Sequence, residues 1–431
     1  MSRVTRVVLL GMGSRGDVQP FVALGSALTA RGYAVTVVAP SDFRDFVIDH
    51  GADFEALSFG LQEGIESELG RAWLGGSSSN QVREARMMKR VVRWTSGQLA
   101  DDLERLVAGV DVVVSSSLTV DAVDALVEGT ATVHVCALFQ PLWPSAHGPS
   151  ATFALLPGSS AVNTGWGWLA RRATWDIVRP AGDLLRRRRG LRRRGHRGYA
   201  AALRRTPTLL AASSDVVPPA PDWPAALRQT GFWFRSDPGE AGVEERLRAF
   251  VETGSPPVYV GFGSMPTGDP DRLLADVVTA LDARGVRGVI GSGLAGLGRT
   301  PPAGLPDSVL VVDAAPHEWL FPRCAAVVHH GGAGTTAAAL RAGVPQVVVP
   351  HIADQPYWGR RVHDLGVGPA PVARKDLTAA RLAAALGLAL ADETRSAAYL
   401  LGALISAEDG VGDAAQLLDA HVQMRAASSV P

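Results

Sequence analysis

Arg6-Val7-Val8-Leu9-Leu10 runs without a break into Gly11-Met12-Gly13-Ser14-Arg15-Gly16. The pattern then turns helical and returns to an apolar run at residues 34–39. A strand, a glycine turn, a helix and a second strand in so short a stretch read as a parallel crossover, the unit of a doubly wound α/β sheet. The helix is predicted over residues 20–30, with Pro20 in its first turn and Gly32 at a left-handed C-cap. Residues 110–115 and 131–138 read as further buried strands of the same sheet.

The alternation restarts after residue 250. A strand at 258–262, a helix at 272–284 and a strand at 287–290 are followed by apolar runs at 309–312, 325–329 and 346–350. Between the halves, Val217-Pro218-Pro219-Ala220-Pro221-Asp222-Trp223-Pro224 has the composition of a linker. The expected division is an N-terminal domain over 1–217, a linker region over 218–240, a second domain over 241–412 and a tail over 413–431 free to pack back on the first. With 431 residues and 47% hydrophobic content, the chain can build two cores.

Basic and acidic residues both number 42, which argues against a dedicated nucleic-acid binder. Cys136 and Cys324 stand far apart in apolar contexts, so neither a disulfide framework nor a metal spacing can be built from them. No run approaches the roughly 20 apolar residues needed to cross a bilayer, and the N-terminal apolar run is too short for a signal segment. The expectation is a soluble, cytoplasmic protein.

Gly11 to Gly16 spells G-x-G-x-x-G, the pattern of a dinucleotide loop. The second strand, however, closes on Ala39-Pro40-Ser41, where such a site needs an acidic residue for the ribose. A second literal match, Gly291 to Gly296, shows how readily the pattern arises in a chain with 47 glycines. The loop His330-Gly331-Gly332-Ala333-Gly334-Thr335-Thr336 is more informative. Gly332 and Gly334 let backbone amides face an anion, Thr335 or Thr336 can cap the helix that follows, and His330 can donate to a phosphate oxygen. The bland alternative is a tight strand-to-helix turn with a buried histidine. One strand later come Asp354 and Gln355, a carboxylate and an amide able to bind vicinal hydroxyls, or simply to cap the helix that Pro356 begins. Adjacent on a strand end, His329 and His330 point in opposite directions, so a shared metal is not expected.

His330 to Thr335 with Asp354-Gln355 resembles the donor-binding signature of the GT-B family 1 glycosyltransferases. The run HHGGAGTTAAALRAGVPQVVVPHIADQPYWGRRVHDLGVGPAPV is similar to their bacterial natural-product and sterol-glucosyltransferase branch. GMGSRGDVQP, Gly11 to Pro20, resembles the N-terminal motif of that branch, and Gly261-Phe262-Gly263-Ser264-Met265 its second phosphate loop. The resemblance implies two Rossmann-like, doubly wound parallel-sheet α/β domains facing across a cleft. It implies that Ser264, His330, Gly332, Gly334 and Thr335, with Ser14, hold the donor diphosphate, and that Asp354 and Gln355 hold the sugar. Ala314-Ala315-Pro316-His317 corresponds to the nucleobase loop, read by the backbone near Val312 and by His317. Many relatives carry a tryptophan where this chain has Ala314.

Family members often place a catalytic histidine after the glycine loop. This chain has Asp17, as the antibiotic and sterol branches do, and Asp17 is the expected general base for the acceptor hydroxyl. Its bland role is a carboxylate at a helix N-terminus. The expected reaction is inverting transfer of a hexose from a UDP- or TDP-linked donor, without metal or other cofactor, to a polyketide, macrolide, glycopeptide or sterol-like acceptor. A nucleotide-sugar epimerase of similar fold and a catalytically silent auxiliary partner are the alternatives.

Thirteen arginines fall between residues 171 and 205, beside Trp166, Trp168 and Trp175. Two readings stand: a solvated helical face near the acceptor pocket, and a patch for an anionic membrane or a nucleic acid, with the chain's zero net charge favouring the first. Phe139, Trp143 and Phe153 are candidates for an apolar acceptor pocket or for ordinary core.

Overall fold

The computed structural model describes residues 4–60, 81–235, 243–263, 269–293, 297–298 and 305–428. The chain divides into two compact units, one of residues up to Ser236 together with Asp409–Pro431, the other within Asp237–Glu408.

The first unit holds seven parallel strands: β1 (Arg6–Leu10), β2 (Ala34–Pro40), β3 (Asp53–Leu57), β4 (Val112–Ser116), β5 (Val133–Leu138), β6 (Thr208–Leu210) and β7 (Leu227–Gln229). Their order is β3-β2-β1-β4-β5-β6-β7. Alternation along β1 builds a core on each face. Val7 and Leu9 pack with Phe21, Val22 and Leu28 of helix Arg15–Ala30, whereas Val8 and Leu10 pack with Leu99 and Leu103 of helix Gln81–Val107. The C-terminal helix Gly410–Ser428 adds Ala414, Ala415 and Leu418 to the first of these cores. It is fastened there by Tyr33, whose hydroxyl donates to Asp419 Oδ1 at 2.6 Å.

Helix Arg15–Ala30 begins five residues earlier than the sequence reading placed it. The physical reason is its cap: Ser14 is the N-cap, and Asp17, three residues on, accepts the Ser14 backbone N–H. Pro20 therefore lies inside the helix, where it deletes the N–H that would bond the Gly16 carbonyl. Gly32 does adopt the left-handed conformation, at φ +87°. The proline-rich segment is no linker. Val217 and Ala220 are buried, and the segment carries the chain from β6 to the short edge strand β7 within the first unit.

The second unit holds five parallel strands: β8 (Val258–Gly261), β9 (Gly288–Gly291), β10 (Val309–Val312), β11 (Ala326–His329) and β12 (Gln346–Val348), ordered β10-β9-β8-β11-β12. Val258 and Val260 face Leu274, Val277 and Leu281 of helix Pro270–Ala283, while Tyr259 faces Leu247 of helix Glu245–Glu252 and Phe321. In both sheets the strand order reverses once, between β1 and β4 and between β8 and β11. At such a reversal the loops leaving neighbouring strands diverge and open a crevice beyond their carboxyl ends. The glycine loops after β1, β8 and β11 all begin there.

Candidate active site

In the second unit, His329 ends β11 and is fully buried. Its Nδ1 accepts the Gly331 N–H at 3.1 Å and its Nε2 faces Gln346 Oε1 at 2.8 Å. The proton is therefore on Nε2, and the ring pins the turn of the loop. Burial holds its pKa down at about 3. Gly331 takes φ +87°, and a Cβ there would meet Val348 Cγ1 at 2.7 Å. The turn thus requires glycine on two counts.

His330 sits between two glycines. A Cβ on Gly332 would stand 2.6 Å from its Nε2, and one on Gly263, in the loop after β8, 3.3 Å from its Cε1. The two loops at the strand reversal close on this one imidazole. Burial lowers its pKa to about 4, so the ring is neutral at physiological pH, and its Nδ1 is buried without a hydrogen-bond partner. A buried ring nitrogen left unmatched is uncommon and marks a place where a ligand can complete the bonding.

Helix Ala333–Arg341 starts at Gly332, which has no side chain to cap it. Gly334 and Thr335 therefore lie in the first helical turn, where the sequence analysis has Thr335 or Thr336 as the cap before it. Thr336 is not the cap, because its hydroxyl donates back to the Gly332 carbonyl at 2.9 Å. The first-turn amides and the positive end of the helix dipole remain for an anion. Ser264 lies outside the described residues.

After β12 the loop Val349–Asp354 is held by Gln355, whose Oε1 accepts the N–H groups of His351 at 2.7 Å and Ile352 at 2.9 Å. The amide oxygen of Gln355 is thus structural. Asp354 stands at the N-cap position of helix Gln355–Asp364 without a side-chain capping bond, and its Oδ2 instead accepts the Trp358 indole N–H at 2.8 Å. Burial pushes its pKa up to about 6. Between them Ala353 adopts φ +56°, the left-handed region that costs a non-glycine residue about 1 kcal/mol. Neither the Trp358 contact nor this strain was foreseen; the i, i+4 spacing of Asp354 and Trp358 on a helix was the available signal for the first.

At the segment expected to read the nucleobase, the Val312 carbonyl already accepts the Ser292 N–H at 2.8 Å. His317 stacks on Phe321 with ring centroids 4.3 Å apart, and its Nε2 lies 3.4 Å from the Tyr259 hydroxyl. Gly293, of the second G-x-G-x-x-G, takes φ +53°, and a Cβ there would fall 2.4 Å from the Gly263 carbonyl. Close approach of two loops explains that glycine.

In the first unit, Asp17 is half-buried and turned back on its own helix. Its Oδ2 accepts from the Ser14 N–H at 2.8 Å and from the Ser14 hydroxyl at 3.1 Å. A Cβ on Gly13 would stand 2.3 Å from that oxygen. A side chain at residue 13 would therefore collide with this carboxylate, which gives Gly13 a packing role beside its φ of +132°. Phe139 belongs to the core, edge-on to Phe21 at 5.4 Å.

Part of the arginine run is paired with carboxylates of this unit. Arg186 and Arg194 share Glu128, at 2.7 and 2.9 Å. Arg188 reaches Asp101 and Glu104, both at 2.7 Å, and Arg179 reaches Asp183 at 2.8 Å. These pairs fit the solvated-face reading. Among the described residues no three His, Cys, Asp or Glu side chains group as a metal site, and no helix is long and apolar enough to cross a membrane.

Residues 7–108 match the glycosyltransferase family 28 N-terminal domain, and residues 293–405 match the C-terminal domain of erythromycin biosynthesis protein CIII-like proteins. Over 444 residues the chain is 35% identical to O-mycaminosyltylonolide 6-deoxyallosyltransferase of Streptomyces fradiae, covering 99% of this chain and 100% of that one. Over 426 residues it is 30% identical to a sterol 3-beta-glucosyltransferase of Arabidopsis thaliana, covering 97% and 68% respectively. Among solved structures, the glycosyltransferase VinC in complex with DTDP superposes with a TM-score of 0.66 at 21% identity, covering 97% and 100%.

Proposed function

This chain belongs to the GT-B glycosyltransferases, and we propose that it moves a hexose from a UDP- or TDP-linked donor to a hydroxyl of a hydrophobic small molecule, with inversion and without a metal ion. The observation that carries the donor half is the pairing of an uncapped helix N-terminus at Gly332 with the unmatched, neutral His330. A departing diphosphate needs hydrogen-bond donors and positive potential, and these two features supply both. Asp354 and the Gln355 amide hydrogens bind the sugar hydroxyls, with Thr335 and Ser264 on the phosphates.

Asp17 is the proposed general base. It removes the proton from the acceptor hydroxyl as that oxygen bonds to the anomeric carbon, while the bond from that carbon to the diphosphate oxygen breaks. Direct displacement converts an α-linked donor into a β-glycoside. The macrolide and sterol relatives support an acceptor with a large apolar skeleton, of polyketide, macrolide, glycopeptide or sterol-like type.

The test is incubation of the full chain with UDP- and TDP-hexoses and a panel of such acceptors in EDTA, with products read by mass and anomeric coupling. A β-linked glycoside supports the reading. An α-linked product contradicts the inverting displacement, and transfer that appears only on adding a divalent ion contradicts metal independence.

A further inference from the structure

Arg171 stands apart from the rest of the arginine run. Three arginines are buried in the described structure, and two have carboxylate partners: Arg186 pairs with Glu128 and Arg361 with Asp364. Arg171 is 7% exposed, and its Nε, Nη1 and Nη2 are all buried without a hydrogen-bond partner. No carboxylate among the described residues lies within ion-pair distance of it.

Its surroundings are aromatic and cationic. The guanidinium carbon lies 3.8 Å from the Trp168 ring centroid and 4.8 Å from that of Trp143. Arg204, from the last turn of helix His196–Arg205, lies 5.6 Å from the Trp143 ring and 5.8 Å from that of Trp168 and is exposed. Trp168 and Arg171 share a face of helix Ala161–Arg188 three residues apart, and Trp143 comes from the loop after β5. Burial lowers the pKa of Arg171 to about 10, and Arg204 beside it adds to the effect, yet the group stays charged at neutral pH.

A guanidinium held over indole rings gains cation–π attraction, which gives its N–H groups no hydrogen-bond acceptor. Two parallel N–H groups on one edge are the complement of a carboxylate or phosphate. A buried cation with three unmatched nitrogens and a second cation beside it lacks one component, an acceptor bearing negative charge.

We propose that Arg171, walled by Trp143 and Trp168 and assisted by Arg204, is a binding site for an oxyanion, a carboxylate or phosphate group carried by a small molecule. Half-buried Trp168 and exposed Arg204 form its outer side, so entry of the anion displaces the Trp168 ring. Binding needs neither donor nor transfer, so the site stands independently of the transferase reading.

The test uses the full chain without nucleotide. Thermal shift and tryptophan fluorescence are followed while benzoate or inorganic phosphate is titrated against sodium chloride of equal ionic strength. The expected result is a saturable shift with at least one of the two anions, weakened at least about tenfold in Arg171→Met, the loss expected for a bidentate charged contact, and also weakened in Arg204→Met. Saturation by benzoate alone identifies a carboxylate site, and by phosphate alone a phosphate site. Absence of any anion-specific shift overturns the proposal, as does a shift that survives Arg171→Met or that vanishes in His330→Ala, which assigns it to the diphosphate loop. Should Arg171→Met fail to fold, the exposed Arg204→Met variant carries the test, and unchanged binding there overturns the two-arginine site.

Discussion

Asp17 Oδ2 accepts the backbone N–H of Ser14 at 2.8 Å, so the proposed base is also the brace that starts its own helix. The two roles separate by substitution. Asp17→Asn keeps an acceptor oxygen for Ser14 and removes the base. Transfer is expected to fall by about 10²–10⁴-fold, with nucleotide affinity and melting temperature near wild type. Asp17→Ala loses the cap as well and is expected to cost about 1 kcal/mol of stability. Steady-state kinetics and melting curves of the two variants decide it; transfer by Asp17→Asn at the wild-type rate removes Asp17 from the chemistry.

Gly332→Ala tests the position of His330 without touching its chemistry. Gly332 has ordinary backbone angles, φ −63° and ψ 144°, so alanine is tolerated there. Its Cβ, however, would fall 2.6 Å from His330 Nε2 and push the ring aside. Affinity for a nucleoside diphosphate is expected to drop about tenfold, the worth of one good hydrogen bond to a charged group. Calorimetry reads this directly, and an unchanged affinity means the ring position is irrelevant to the ligand.

Ala353→Gly relieves the left-handed strain at φ +56°. Glycine loses more entropy on ordering, so the net gain is small, up to about 1 kcal/mol. A rise in melting temperature is expected, and a fall would mean that the methyl group makes contacts worth more than the strain.

Acid should destabilise the second unit through its histidines. Burial holds His329 at about 3 and His330 and His351 at about 4, all below the usual histidine value near 6.5. The unfolded chain therefore takes up protons that the folded one refuses as pH falls below 6.5. Stability complete above that value is lost toward pH 4, each histidine steepening the slope by about 1.4 kcal/mol per pH unit. Asp354, raised to about 6, acts oppositely: its contribution is present at low pH and lost as pH rises through 6. Three histidines outweigh one aspartate, so denaturant midpoints should fall between pH 6.5 and 4, and His330→Asn should flatten the fall. A flat profile in the wild type contradicts the neutral, buried assignment.

The alternation of apolar runs and helical periods made all of the second sheet legible but only β1, β2, β4 and β5 of the first; β3 alternates with polar Asp53 and Glu55, and β6 and β7 are three residues each, too short to carry a pattern. Helix starts were read late at both glycine loops. The cause is the same in each: Gly16 and Gly334 looked like turn residues, but Ser14 with Asp17 nucleates one helix early and the Gly331–Gly332 turn nucleates the other. The proline-rich stretch at 217–224 has the composition of a linker, and composition does not reveal that Val217 and Ala220 are buried. Residue types at the site were readable; the partners that fix their tautomers and free atoms, such as Gln346 on His329 and Trp358 on Asp354, depend on tertiary packing.

The most direct test of the donor assignment is calorimetric titration of wild type and His330→Ala with UDP and with TDP in the presence of EDTA. Saturable binding of one or both diphosphates to wild type, weakened about tenfold or more in His330→Ala, is the predicted result. Equal affinity in the two proteins, or no binding of either diphosphate without metal, contradicts the account.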